Sequence, residues 1–158
     1  NPEKKSLWVN EHYVDPAGRG WMVSAIAPVY YKNELVGVPG IDVTINRIMK
    51  RYITDDPESM IMIIDNTGAI VAAQESVINL LSFPPLFEHK YVETIKQDTY
   101  RKETYNLSLS KEARVRELAD EILKKKSELA KIEMNGEELI VISAFIPELS
   151  WNLIKIIR

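Results

Sequence analysis

Two histidines, His12 and His89, are the side chains this sequence offers as bases near neutral pH. Neither lies in a Gly-x-Ser-x-Gly nucleophile elbow or in a His-Glu-x-x-His metal motif. His89, in Phe87-Glu88-His89-Lys90, reads as a surface residue. There is no cysteine, which removes thiol nucleophiles, disulfides and cysteine zinc sites. Gly37-Val38-Pro39-Gly40 has neither the lysine nor the spacing of a phosphate loop, and Asp55-Asp56 reads as loop and helix-cap material. The chain is therefore not expected to be an enzyme, and no cofactor or metal is expected. Asp42 stands apart from this background. It interrupts an apolar strand, where a buried acid needs a partner, yet it is equally placed to cap a helix starting near Thr44. Asp15, ahead of Pro16, is equally a turn former.

The elements that carry these residues belong to an ordinary globular composition. Of 158 residues, 46% are hydrophobic and 27% charged, enough for one full core and part of a second. A net charge of −3, with Lys and Arg interleaved among acids, gives no footprint for nucleic acid. No apolar run approaches the roughly 20 residues of a membrane-spanning helix, and no signal peptide is visible at Asn1. The spanning helices of a membrane-bound parent protein are expected outside the chain.

A hairpin design occurs twice. Gly20 to Tyr31 is rich in strand formers, Lys32-Asn33-Glu34 is a polar turn, and Leu35 to Val43 returns. Near the C-terminus, Leu139 to Pro147 is a strand, Glu148-Leu149-Ser150 turns, and Trp151 to Ile157 returns. Val23-Ser24-Ala25-Ile26-Ala27-Pro28 parallels Ile142-Ser143-Ala144-Phe145-Ile146-Pro147, with proline near the same end of each strand. This points to two modules of one fold, the first lacking its N-terminal half.

The second module opens with Met60 to Asp65, a turn at Asp65-Asn66-Thr67-Gly68 and a return strand Ala69 to Ala73. Residues 74 to 106 read as short helices and loops. A helix is expected from Lys111 to Ile132, capped by Ser110, with Val115, Leu118, Ile122, Leu129 and Ile132 as its apolar stripe. That stripe packs on the chain's own sheet; a dimer seam is the rival reading, which leaves a homodimer of the parent protein open. Met134-Asn135-Gly136-Glu137 turns the chain into the last strands. The order of strand, strand, helices, strand, strand, strand implies an α+β fold, a central antiparallel sheet flanked by helices.

Trp8 to Ile45, with Tyr13-Val14-Asp15-Pro16, Gly18-Arg19-Gly20-Trp21, Ala27-Pro28-Val29-Tyr30 and Gly37-Val38-Pro39-Gly40-Ile41-Asp42-Val43, resembles the end of the membrane-distal module of double-Cache sensors. Ile63 to Val71 and the Trp151 strand resemble the membrane-proximal module. The resemblance implies a PAS-like Cache fold, one complete module plus part of a second. Residues 1–55 would be the closing part of the distal module with its connecting helix, and residues 56–158 the proximal module. It further implies the extracytoplasmic sensor region of a membrane-anchored protein, a histidine kinase first and a chemoreceptor or a non-binding relay as alternatives. Its expected partner is a small amino acid, amine or carboxylate. In the amino-acid-binding and amine-binding branches a Tyr-x-Asp pair and a later Asp hold the ligand's ammonium group, and Tyr13, Asp15 and Asp42 fall on those positions. Carboxylates offer an ammonium charge-assisted hydrogen bonds, and a tyrosine adds an acceptor and an aromatic wall.

Overall fold

The computed structural model describes residues 5–14, 21–52, 60–84 and 103–158. Its strands are β1 (Leu7–Val14), β2 (Trp21–Ile26), β3 (Val29–Tyr31), β4 (Glu34–Gly37), β5 (Gly40–Thr44), β6 (Met60–Asp65), β7 (Ile70–Ala73), β8 (Leu129–Met134), β9 (Glu137–Ile146) and β10 (Trp151–Ile157). The helices are α1 (Ile45–Tyr52), α2 (Glu75–Leu80) and α3 (Ala113–Leu123), with a 3-10 turn at Leu107–Leu109. Strands pair as a three-stranded sheet, β1-β2-β5, a five-stranded sheet, β7-β6-β10-β9-β8, and a ribbon, β3-β4. The expected α+β class is met by a sheet-dominated chain with a few helices.

Each long strand of the first hairpin is in fact two. Pro28 and Pro39 lack the N–H that would continue a ladder, so β2 gives way to β3 and β4 to β5 around them. The Ala27 amide donates to the Pro39 carbonyl at 2.9 Å and ties the two breaks together. At the tip, Lys32 and Asn33 take φ of 45° and 69°, the left-handed pair a two-residue hairpin requires. Strand β1 has no counterpart in the sequence reading. It pairs with β2, with an irregularity between Val9 and Tyr13.

The expected helix from Lys111 to Ile132 is half right. Ala113–Leu123 is helical, and Val115, Leu118 and Ile122 are buried as the stripe requires. The chain then leaves the helix at Lys124-Lys125-Lys126, where Lys126 takes φ of 52°. Leu129 and Ile132 lie instead on β8, an edge strand whose Ala130, Ile132 and Met134 alternate with more exposed neighbours. Leu129 falls on the outward side. Its phase with the helical stripe is coincidence, because the local pattern Leu-Ala-Lys-Ile-Glu-Met has period two. Asn135-Gly136, both at positive φ, then closes a tight hairpin into β9.

Two apolar clusters use opposite faces of the five-stranded sheet. The larger joins Met62, Ile64, Leu139, Val141, Ile154 and Ile156 of the sheet to Val77 and Ile78 of α2 and Leu118 and Ile122 of α3. The smaller joins Ile63, Ala72 and Trp151 to Val23 of β2 and Ile45 of α1, with Trp8 and Val43 packed against it. Alternation along β6 explains the split: Met62 and Ile64 point one way, Ile63 the other. Among the described residues, the three-stranded sheet and α1 therefore meet the five-stranded sheet through an apolar cluster that includes Trp151.

The turn after β6 is held by a buried acid. Asp65 Oδ1 accepts from the Thr67 amide at 2.8 Å, the Thr67 hydroxyl at 2.6 Å and the Ala69 amide at 3.0 Å. These bonds satisfy a carboxylate that is 4% exposed. Asn106 braces the same turn, donating from Nδ2 to the Thr67 carbonyl at 3.1 Å.

Candidate ligand-binding site

Strand pairing brings together two of the three residues expected to hold a ligand. Asp42 on β5 stands directly opposite Ser24 on β2, and Tyr13 on β1 stands opposite Met22. Because side chains alternate, Tyr13, Met22, Ser24, Asp42 and Thr44 share one face of the three-stranded sheet. Val23, Val43 and Trp8 occupy the other and pack toward Trp151. The polar face is thus turned away from the apolar contact between the sheets.

On that face the Ser24 hydroxyl donates to Asp42 Oδ1 at 2.6 Å, and the Tyr13 hydroxyl donates to the same oxygen at 3.0 Å. The two hydroxyls lie 2.7 Å apart. Ser24 is buried, Tyr13 is half-buried, and Asp42 is exposed. Asp42 is therefore not a buried acid in need of rescue but a surface carboxylate oriented by two hydroxyls. One oxygen takes both bonds and fixes the rotamer of an accessible anion. Such an arrangement can accept hydrogen bonds from a cationic N–H group beside a tyrosine ring.

At the start of α1, the Thr44 hydroxyl accepts from the Arg47 amide at 3.3 Å, so Thr44 supplies a capping bond where Asp42 had been a candidate. Asp15 lies outside the described residues. Ser24 was missed by sequence reasoning. It sits in the quoted run Val23-Ser24-Ala25, but only the β2–β5 register shows that it faces Asp42. Among the described residues no group of three His, Asp or Glu side chains could hold a metal ion. No described helix is long and apolar enough to cross a membrane.

No protein-family model matches the chain, and none of the curated proteins matches it in sequence. Solved structures do match. The extracellular domain of mmHK1S-Z2, assigned as a histidine kinase, aligns with a TM-score of 0.58 at 16% identity, over 97% of this chain and 50% of that one. The sensory domain of the Campylobacter jejuni chemoreceptor Tlp3 aligns at 0.56 and 13%, over 97% of this chain and 48% of the other. The chain has the fold of extracellular sensor domains. A third such domain, from the Pseudomonas fluorescens chemoreceptor CtaA in complex with L-leucine, aligns at 0.54 and 14%, over 97% and 53%. The chain spans about half the length of these sensor domains. At the level of fold, the resemblance to double-Cache sensors is borne out. All three are sensory, ligand-binding or extracellular domains rather than catalytic ones.

Proposed function

We propose that this chain is part of the extracytoplasmic sensor region of a membrane-anchored signal-transduction protein, with a histidine kinase as first reading and a chemoreceptor as second. In this reading, residues 1–55 close a membrane-distal module and supply its connecting helix, while residues 56–158 form the proximal module with helices on its sheet. The ligand is a small molecule bearing an ammonium group, an amino acid or amine. Tyr13 and Asp42 receive that group, and Asp15 completes the trio. The carrying observation is the exposed Asp42 carboxylate, held by the Tyr13 and Ser24 hydroxyls in a sensor fold. A chemoreceptor of this fold with L-leucine bound supports the ligand class.

Relay would pass from the three-stranded sheet through the Trp151 contact into β10. A ligand shifts such an equilibrium only by its differential affinity for two packings. Among the described residues, the smaller apolar cluster draws side chains from both sheets.

A thermal-shift screen of amino acids, amines and small carboxylates on the parent's complete extracytoplasmic region tests the reading. A bound ligand raises the melting temperature by mass action. Asp42→Ala is expected to erase that rise while leaving the ligand-free protein folded. No response to any compound, or an undiminished response in Asp42→Ala, overturns it.

A further inference from the structure

A second polar feature lies about the five-stranded sheet, on its α3 side. Asn152 on β10 is only 7% exposed, and its side chain has no hydrogen-bond partner among the described residues. It stands between Ile64 of β6 and Phe145 of β9, on the face that carries Ile154 and Ile156 into the core. A buried primary amide without partners leaves its desolvation uncompensated, and native proteins rarely retain one without a reason.

The amide opens into a cavity of about 370 Å³, bounded by Asn66, Ile122, Leu123, Lys126, Glu128, Ser143, Phe145 and Asn152. Three elements meet there: the end of α3 with the loop behind it, the ends of β9 and β10, and the turn after β6. A single water occupies about 30 Å³, so one ordered water could not account for a space this large. Pockets for small ligands start near 300 Å³. The floor is buried and neutral, formed by Ile122, Ser143 and Asn152. The Ser143 hydroxyl donates to the Ser127 carbonyl at 2.7 Å, leaving its lone pairs to accept. The rim is exposed and carries one cation, Lys126, and one anion, Glu128, neither ion-paired with a described residue. Phe145, 58% exposed, adds an aromatic wall at the mouth.

A larger hollow of about 670 Å³, between α2 and the ends of β6 and β10, offers nothing comparable. Its polar lining residues Ser76, Asn79, Asn135 and Arg158 are all exposed.

We infer that the cavity between α3 and the β9–β10 ends is a second small-molecule site, built for a compact zwitterion. A dipolar solute matches a rim of one cation and one anion. Its carboxylate would lie toward Lys126, its ammonium toward Glu128, and Asn152 would meet whichever polar atom reaches the floor. This inference stands apart from Tyr13 and Asp42, which lie on the other sheet.

Glycine and L-alanine, titrated into the isotope-labelled protein and into its Asp42→Ala variant, provide the test by NMR. The expected result is saturable shifts of the Asn152 side-chain amide and of Ser143, unchanged in Asp42→Ala. Asn152→Leu should abolish those shifts at Ser143 and raise the melting temperature of the free protein, since it removes an unsatisfied polar group. Lys126→Met, on an exposed loop and harmless to folding, should weaken binding about tenfold by removing a charge-assisted contact. Shifts confined to Tyr13, Ser24 and Asp42 would overturn this inference while sparing the proposed function. No shift at all, an ordered water only on Asn152, or equal binding by Asn152→Leu would also overturn it.

Discussion

The Ser24 hydroxyl donates to the Asp42 carboxylate at 2.6 Å across the β2–β5 pair, and the same carboxylate oxygen accepts from Tyr13. A buried hydroxyl thereby positions an exposed anion. The arrangement separates two roles that a single substitution could confuse. Ser24→Ala removes an orienting bond and leaves the anion in place. The expected cost is about 1 kcal/mol, read as a small drop in urea midpoint. Ligand response should weaken but persist, whereas Asp42→Asn should abolish it with little loss of stability. Calorimetric titration of the two variants separates them, and equal loss in both would mean that Ser24 itself contacts the ligand.

Gly68 has no tolerance for a side chain. Its φ is +87°, and an added Cβ would lie 2.8 Å from Ser108 Oγ and 3.2 Å from Asn106 Oδ1. Gly68→Ala is expected to destabilise the protein by more than the roughly 1 kcal/mol of a left-handed alanine alone. Chemical denaturation measures it. The added loss should shrink when Ser108 is also replaced by glycine, because the nearest clash is then gone.

Trp151 is 1% exposed and shares one apolar cluster with Ile63, Ala72, Val23 and Ile45. Trp151→Ala should cost about 3–5 kcal/mol, the range for deleting a large buried aromatic. Trp151→Phe should recover much of that. Hydrogen exchange should speed up at Val23 and Ile45 as well as along β10 if this contact is what couples the two sheets. Acceleration limited to β10 would exclude it as the coupling element.

The loop behind α3 is expected to loosen in acid. Hydrogen bonds from Lys125 and then Ser127 hold the Glu121 carboxyl below its ordinary value. Its native pKa is lowered, so its contribution to stability is present above the unfolded pKa and is lost as pH falls through the native one. The carboxyl is exposed, so the effect is local and shrinks with added salt. Amide exchange at 124–128 should rise below the normal carboxylate range, and Glu121→Gln should show the faster exchange already at neutral pH.

How much of this was legible in the sequence depended on the range of the interactions involved. Met60 to Asp65, the turn at Asn66-Thr67-Gly68 and the Trp151 strand were readable because alternation, turn chemistry and strand propensity are local signals that agree there. The stripe of α3 was readable for the same reason as far as Ile122. Beyond it, Leu129 and Ile132 fit a helical period while Ala130, Ile132 and Met134 fit a strand period, and only pairing with β9 decided between them. Strand β1 escaped notice because Leu7 to Val14 mixes polar and apolar residues, and its place comes from β2. Of the candidate site, residue types were visible and Asp42 stood out as an acid among apolar neighbours. That Ser24 lies opposite Asp42, and that Asn152 is buried on the α3 side of the sheet without a side-chain partner among the described residues, could not be read from the chain. Register and burial are long-range properties: they depend on which strands meet, and a shift of one residue would turn each of these side chains to the other face.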